Sequence, residues 1–172
     1  MKKKVLIVVG TILLIGIAAY LISAYSFHTK MVNLFAKNMD QMDSNSYSLT
    51  TDDEIYACFL SDWWEFGGNL NVSSKVKYDT DGNIINEYYI VTVPLVKSKD
   101  GYVFETQLGY TDEYGNIQSV FYELNENMEF TDPDDISSVQ AALFEDLKPR
   151  IRELYQKVYD MWGILNPDEK DT

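Results

Sequence analysis

The chain has 172 residues and sets 27 acidic side chains against 14 basic ones, a formal charge of −13 at neutral pH. A field of that sign repels phosphate backbones, so nucleic acid is not expected as a partner. The single cysteine, Cys58, permits no disulfide within the chain, and the fold must stand on its hydrophobic core alone.

Met1-Lys2-Lys3-Lys4 opens the sequence, and Val5 to Phe27 follow without a charge. As a helix that stretch measures about 34 Å, slightly more than a hydrocarbon core of about 30 Å. Three lysines precede it and only Lys30 follows closely, a bias that places residues 1–4 in the cytoplasm and the rest of the chain outside. Tyr20, Tyr25 and Phe27 gather at the far end, where aromatic rings favour a membrane interface. The competing reading is a cleaved signal peptide and a secreted product. The apolar run is long for that, and the best cut, after Ala24, has bulky Ile22 where a small residue belongs. Ala19 and Ser23 form a small-xxx-small pair through which two anchors can approach, compatible with a homo-oligomer. The expected partner of residues 5–27 is therefore the lipid bilayer, in a single-pass arrangement.

Beyond the span, Met31, Leu34, Phe35, Met39 and Met42 continue a helical stripe, read as a stalk helix over 28–43 that opens an extracytoplasmic domain over 28–163. "SNSYS" at 44–48 breaks the pattern. The next segment, "TTDDEIYACFLSDWWEFGG", carries helix marks. Thr51 and Glu54 have capping-box spacing, Ile55, Phe59, Trp63 and Phe66 recur at helical intervals, and Gly67 ends the run. The spacing predicts a second helix with Trp63 in the core and with Asp62 and Glu65 on its solvated border. Opposed carboxyls across a cleft, which a glycosidase requires, do not follow from such neighbours.

After the glycines the period changes to two. Leu70, Val72, Val76 and Tyr78 alternate with polar residues, Asp81-Gly82 marks a turn, and "IINEYYIVTVPLV" is a second strand. Asp100-Gly101 leads into a third strand with Tyr102, Phe104, Leu108 and Tyr110 on one face, and "IQSVFYEL" is the fourth. Short turns make this a four-stranded antiparallel meander, with Pro94 suited to an edge or a bulge. Asp132 and Pro133 then open a long C-terminal helix. Its stripes are Ile136, Val139, Leu143, Leu147 and then Ile151, Leu154, Tyr155, Val158, Trp162, with a kink at Pro149 and a stop at Gly163. Residues 164–172 are expected to form a flexible acidic tail. The fold class is α+β: a transmembrane helix, two helices, the meander, and a kinked helix packed on the sheet.

Chemistry-bearing clusters are scarce. One His and one Cys do not make a zinc site, His28 sits at the membrane boundary, and Cys58 beside an aromatic stripe reads as a buried thiol. The oxygens of "DTDGN" have the wrong spacing for a calcium loop. No catalytic residue, cofactor or metal is expected, and the chain is not read as an enzyme. The expected function is a membrane-anchored extracytoplasmic interaction module, an accessory or assembly component of a bacterial cell envelope with a protein partner there. The alternatives are a ligand-binding domain whose pocket between sheet and helix is lined by Tyr88, Tyr89, Tyr102 and Phe104, and a carboxylate-dependent wall hydrolase.

Overall fold

The computed structural model describes residues 2–77, 80–81, 88–97, 101, 103–111, 115–125 and 127–164. Helix α1 (Lys2–Phe35) comes first, and strands β1 (Asp40–Gln41), β2 (Ser46–Thr50), β3 (Glu54–Leu60), β4 (Gly68–Ser74), β5 (Tyr88–Pro94), β6 (Phe104–Thr111) and β7 (Ile117–Leu124) follow. A 3-10 turn over Pro133–Asp135 leads into helix α2 (Ser138–Trp162). The seven strands form one antiparallel sheet in chain order, β1 to β7.

The α+β layout and the helix packed on an antiparallel sheet hold, but the sheet has seven strands rather than four, and two α-helices are described rather than four. The stalk is not a separate element. Its first turns belong to α1, which runs from Lys2 to Phe35, and Met39 precedes a short strand. Over 51–66 the predicted helix is replaced by a hairpin turn, β3 and a loop. Glu54, Tyr56, Cys58 and Leu60 point inward, while Ile55 and Phe59 point out. The Thr51-x-x-Glu54 signature is met in a different frame. Thr51 N–H donates to the Glu54 carbonyl at 2.9 Å, and Glu54 N–H donates to Thr51 Oγ1 at 3.0 Å, closing the β2–β3 turn. The same donors and acceptors that begin a helix here close a hairpin.

Inward residues line up across the strands. Tyr56 pairs with Val72, Val72 with Val91, Val91 with Thr106 and Thr106 with Tyr122, a row of buried side chains spanning five strands. Helix α2 lies over this face with Phe144, Leu147, Ile151, Leu154, Tyr155, Val158 and Trp162 buried at helical spacing. Each such apolar side chain taken fully from water contributes about 1.5 to 3 kcal/mol. Phe144 is buried in α2, whereas its neighbour Leu143, which the sequence pattern placed in the stripe, is half-buried. Asp132 caps only the 3-10 turn, and α2 is capped by Ser137, whose hydroxyl accepts from Gln140 N–H while Gln140 Oε1 accepts from Ser137 N–H. Pro149 lies inside α2 without splitting it, and its side is exposed, so the carbonyl it leaves unpaired can be hydrated. Gly163 ends the helix in the left-handed conformation, as its position implies.

Helix α1 has two characters. Its N-terminal part shows bare apolar side chains from Ile7 to Ile22, long and apolar enough to cross a membrane or to serve as a signal sequence. Its last turns join the domain core through Met31 and Phe35. Phe35 meets the Trp162 ring with centroids 5.6 Å apart, so α1 and α2 share one packed joint.

Gly68 opens β4 at φ 133°, and a Cβ there would lie 2.7 Å from the Phe59 carbonyl oxygen. Gly68→Ala is therefore expected to cost about 1 to 2 kcal/mol, read as a lowered urea midpoint at unchanged slope.

Candidate functional site

Of the four aromatics expected to line a ligand surface, the three described ones are divided between the two faces of the sheet. Tyr89 and Phe104 lie in the core under α2, and the Phe104 ring packs on Tyr155 with centroids 5.0 Å apart. Tyr88 points to the opposite face, half-buried over Gly109, whose missing side chain makes room for the Tyr88 ring. Tyr102 lies outside the described residues. At Tyr89 and Phe104 the helix therefore closes the space between itself and the sheet.

One group of polar side chains inside the domain is joined by hydrogen bonds. The Glu54 carboxylate is buried, accepts from Lys157 Nζ at 2.7 Å, and accepts from Thr51 Oγ1 at 3.2 Å. This pair ties α2 to the sheet. Burial pushes the Tyr56 hydroxyl up to about 12, with the nearby Glu54 charge adding to the effect. Burial likewise pushes the Cys58 thiol up to about 12, which keeps it protonated and unreactive at neutral pH. Among the described residues no group of three or more His, Cys, Asp or Glu is placed to hold a metal. Asp79 and Asn83, the other oxygens weighed for calcium, lie outside the described residues.

A different surface draws functional-looking residues together. Between β3 and β4 the chain forms a loop over Ser61–Gly67, closed at its base by Ser61 N–H donating to the Gly67 carbonyl at 3.4 Å. Its tip is the turn Asp62–Glu65, in which Glu65 N–H donates to the Asp62 carbonyl at 2.9 Å, leaving Trp63 and Trp64 at the apex. Trp63 is 47% exposed, so it is not the core residue its spacing predicts, and Trp64 and Phe66 are exposed too. Asp62 and Glu65 are exposed as expected, and Asp62 Oδ1 accepts from Asn45 Nδ2 at 3.2 Å.

The loop docks on α1. Phe66 lies between Tyr20 and Phe27, with centroids 5.6 and 5.5 Å away, and Trp63 meets Tyr25 edge-on at 6.3 Å. Trp64 packs edge-on against Trp63 at 5.3 Å. His28 Nδ1 stands 3.2 Å from the Ser61 carbonyl, which ties the base of the loop to the helix. On the same helix face Ala24 is fully buried. An open groove of about 660 Å³ continues along α1 from Ile22 and Tyr25 past Lys30 to Lys37. The sequence holds a signal for this cluster, because aromatics in "DWWEF" and in Tyr20-to-Phe27 both mark interfaces. Helical spacing masked it by offering the tryptophans a core.

Comparison with protein-family models, with curated protein sequences and with solved structures finds no match to this chain.

Proposed function

We propose that the protein is a membrane-anchored interaction module, held by α1 with residues 1–4 in the cytoplasm and the acidic domain outside, where it docks a protein partner of the cell envelope. The observation that carries this reading is the closure of the sheet. Its inner face is packed against α2, so the broad surface left to a partner is the outer one. A row across five strands there reads Ile55, Ser73, Ile90, Gln107 and Phe121 by strand pairing. Phe121 is 68% exposed on this otherwise mixed surface, and aromatic residues of that kind anchor interfaces by filling a partner's pocket. The reading assigns the domain no reaction of its own.

Retention of the anchor has separate support. Ala24, the residue before the best cleavage point, is fully buried, and rings on both sides of that point pack against the Ser61–Gly67 loop. The helix across the cut is thus continuous with the folded domain.

Crosslinking in native membranes followed by mass spectrometry tests the proposal. The parent should recover one protein partner reproducibly, with the chain's own N-terminus intact. Phe121→Glu should lose that partner while melting like the parent, because the side chain it replaces makes little core contact. Equal recovery by parent and variant would remove the outer face from the reading, and recovery of no protein partner would remove the interaction module itself.

A further inference from the structure

We infer that the Ser61–Gly67 loop is a second membrane contact, with Trp63, Trp64 and Phe66 seated in the interface of the leaflet from which α1 emerges. The inference rests on the anchor reading above and adds to it a surface of the folded domain.

The argument begins with depth. Counting from Val5, the first residue after the lysines, a hydrocarbon core of about 30 Å is crossed in about 20 residues, near Ala24. An ordinary tilt of about 20° moves that boundary by about one residue. Tyr20 then lies about 6 Å inside the hydrocarbon edge, and Phe27 about 5 Å outside it. Phe66 contacts both rings, so it sits at the boundary itself. Trp63 contacts Tyr25 at the same level. A loop packed on these residues cannot stand in bulk water while α1 spans the bilayer.

The chemistry of the loop agrees with that level. Exposed tryptophan and phenylalanine rings at a protein surface are a hazard in water, and the indole in particular favours the headgroup region, with its ring among apolar groups and its N–H hydrated. Asp62 and Glu65 flank the turn and set a limit on depth, since their carboxylates do not enter hydrocarbon. They keep the rings at the interface and point to zwitterionic rather than anionic headgroups as neighbours. Lys30 on the adjoining groove is the first cation after the span, and it lies where lipid phosphates would face it. Together the helix and the loop attach the domain at two points. The end of the sheet that carries the β3–β4 connection then faces the bilayer, and the domain does not swing freely about α1.

The test uses the full chain reconstituted in phosphatidylcholine vesicles. Tryptophan emission is compared between the parent and Trp63→Phe/Trp64→Phe, so that the constant contribution of buried Trp162 drops out of the difference. The loop component should be blue-shifted, strongly quenched by lipids brominated near the headgroup, and protected from aqueous iodide. An unshifted Trp162 emission in the double variant shows that it folds. Leu13→Trp, placed mid-span in the double variant, should be quenched by lipids brominated near the chain end. If that reporter is not quenched, the anchor reading fails. If it is quenched while iodide reaches Trp63 and Trp64 and brominated lipid does not, the anchor stands and the loop is a water-facing surface suited to a protein instead, which overturns the inference.

Discussion

Trp162→Ala should lower the stability of the domain by about 3 to 5 kcal/mol, the range for removing a large aromatic side chain from a packed core. Trp162 is 5% exposed and stands where three elements meet. Its ring lies 5.6 Å from Phe35 at the end of α1 and 5.4 Å from Tyr56 in β3, so truncation opens a cavity at the joint of both helices and the sheet. Its indole nitrogen is buried with no hydrogen-bond partner among the described residues, and for that reason Trp162→Phe should cost much less than the alanine variant. Trp63→Ala is the contrasting case. Half-exposed, with its ring against Tyr25 on α1 and against its neighbour Trp64, it should change stability by about 1 kcal/mol or less. Urea unfolding of the three variants, with the slope checked for constancy, gives the comparison directly. Equal losses at Trp63 and Trp162 would mean that the loop is part of the cooperative core.

The two tryptophans also show where local pattern stops being informative. Ile55, Phe59, Trp63 and Phe66 repeat as a helical stripe should, yet all four are between 40 and 51% exposed. The competing period-two pattern of Glu54, Tyr56, Cys58 and Leu60 is present in the same residues. It wins because β3 pairs on both sides, with β2 and with β4, and those ladders draw on residues outside the segment. A buried acid in the first inward position hid that pattern, since Glu54 reads as polar surface until Lys157, far along the chain, is placed beside it. The apolar span, β4 to β7 and α2 were legible because their periods are long or repeat without rivals. The first predicted strand runs too far, because β4 ends at Ser74 and Val76 lies beyond it, while Tyr78 at its end and Tyr102 at the start of the third lie outside the described residues. As for the site, the sequence placed Tyr88, Tyr89, Tyr102 and Phe104 together through strand membership. Side-chain alternation separates Tyr88 from Tyr89 by the thickness of the sheet, and that consequence was already present in their adjacent numbers.

Lys157→Met should destabilise the domain by about 2 to 3 kcal/mol by leaving the Glu54 carboxylate buried without its partner, less than a fully buried pair would lose because the lysine is partly solvated. Glu54→Leu in the same chain should recover part of that loss, since a pair replaced by apolar groups leaves no stranded charge. The pair also fixes the direction of the pH response. Glu54 holds the Lys157 ammonium above its ordinary range, and burial raises Tyr56 and Cys58, each to about 12. In all three the native state keeps protons that the unfolded chain would release, so their contribution is complete below the unfolded values and falls as pH rises toward the native ones. Cys58 begins the decline at about pH 8.5, and Tyr56 and Lys157 extend it from about pH 10. Urea midpoints should therefore be level between about pH 6 and 8 and fall steadily above that. Cys58→Ala should flatten the first part of the fall, and Lys157→Met should reduce its steepness above about pH 10. A midpoint that stays level to pH 11 in the parent would show that the lysine and the thiol exchange protons in the native domain as they do in water.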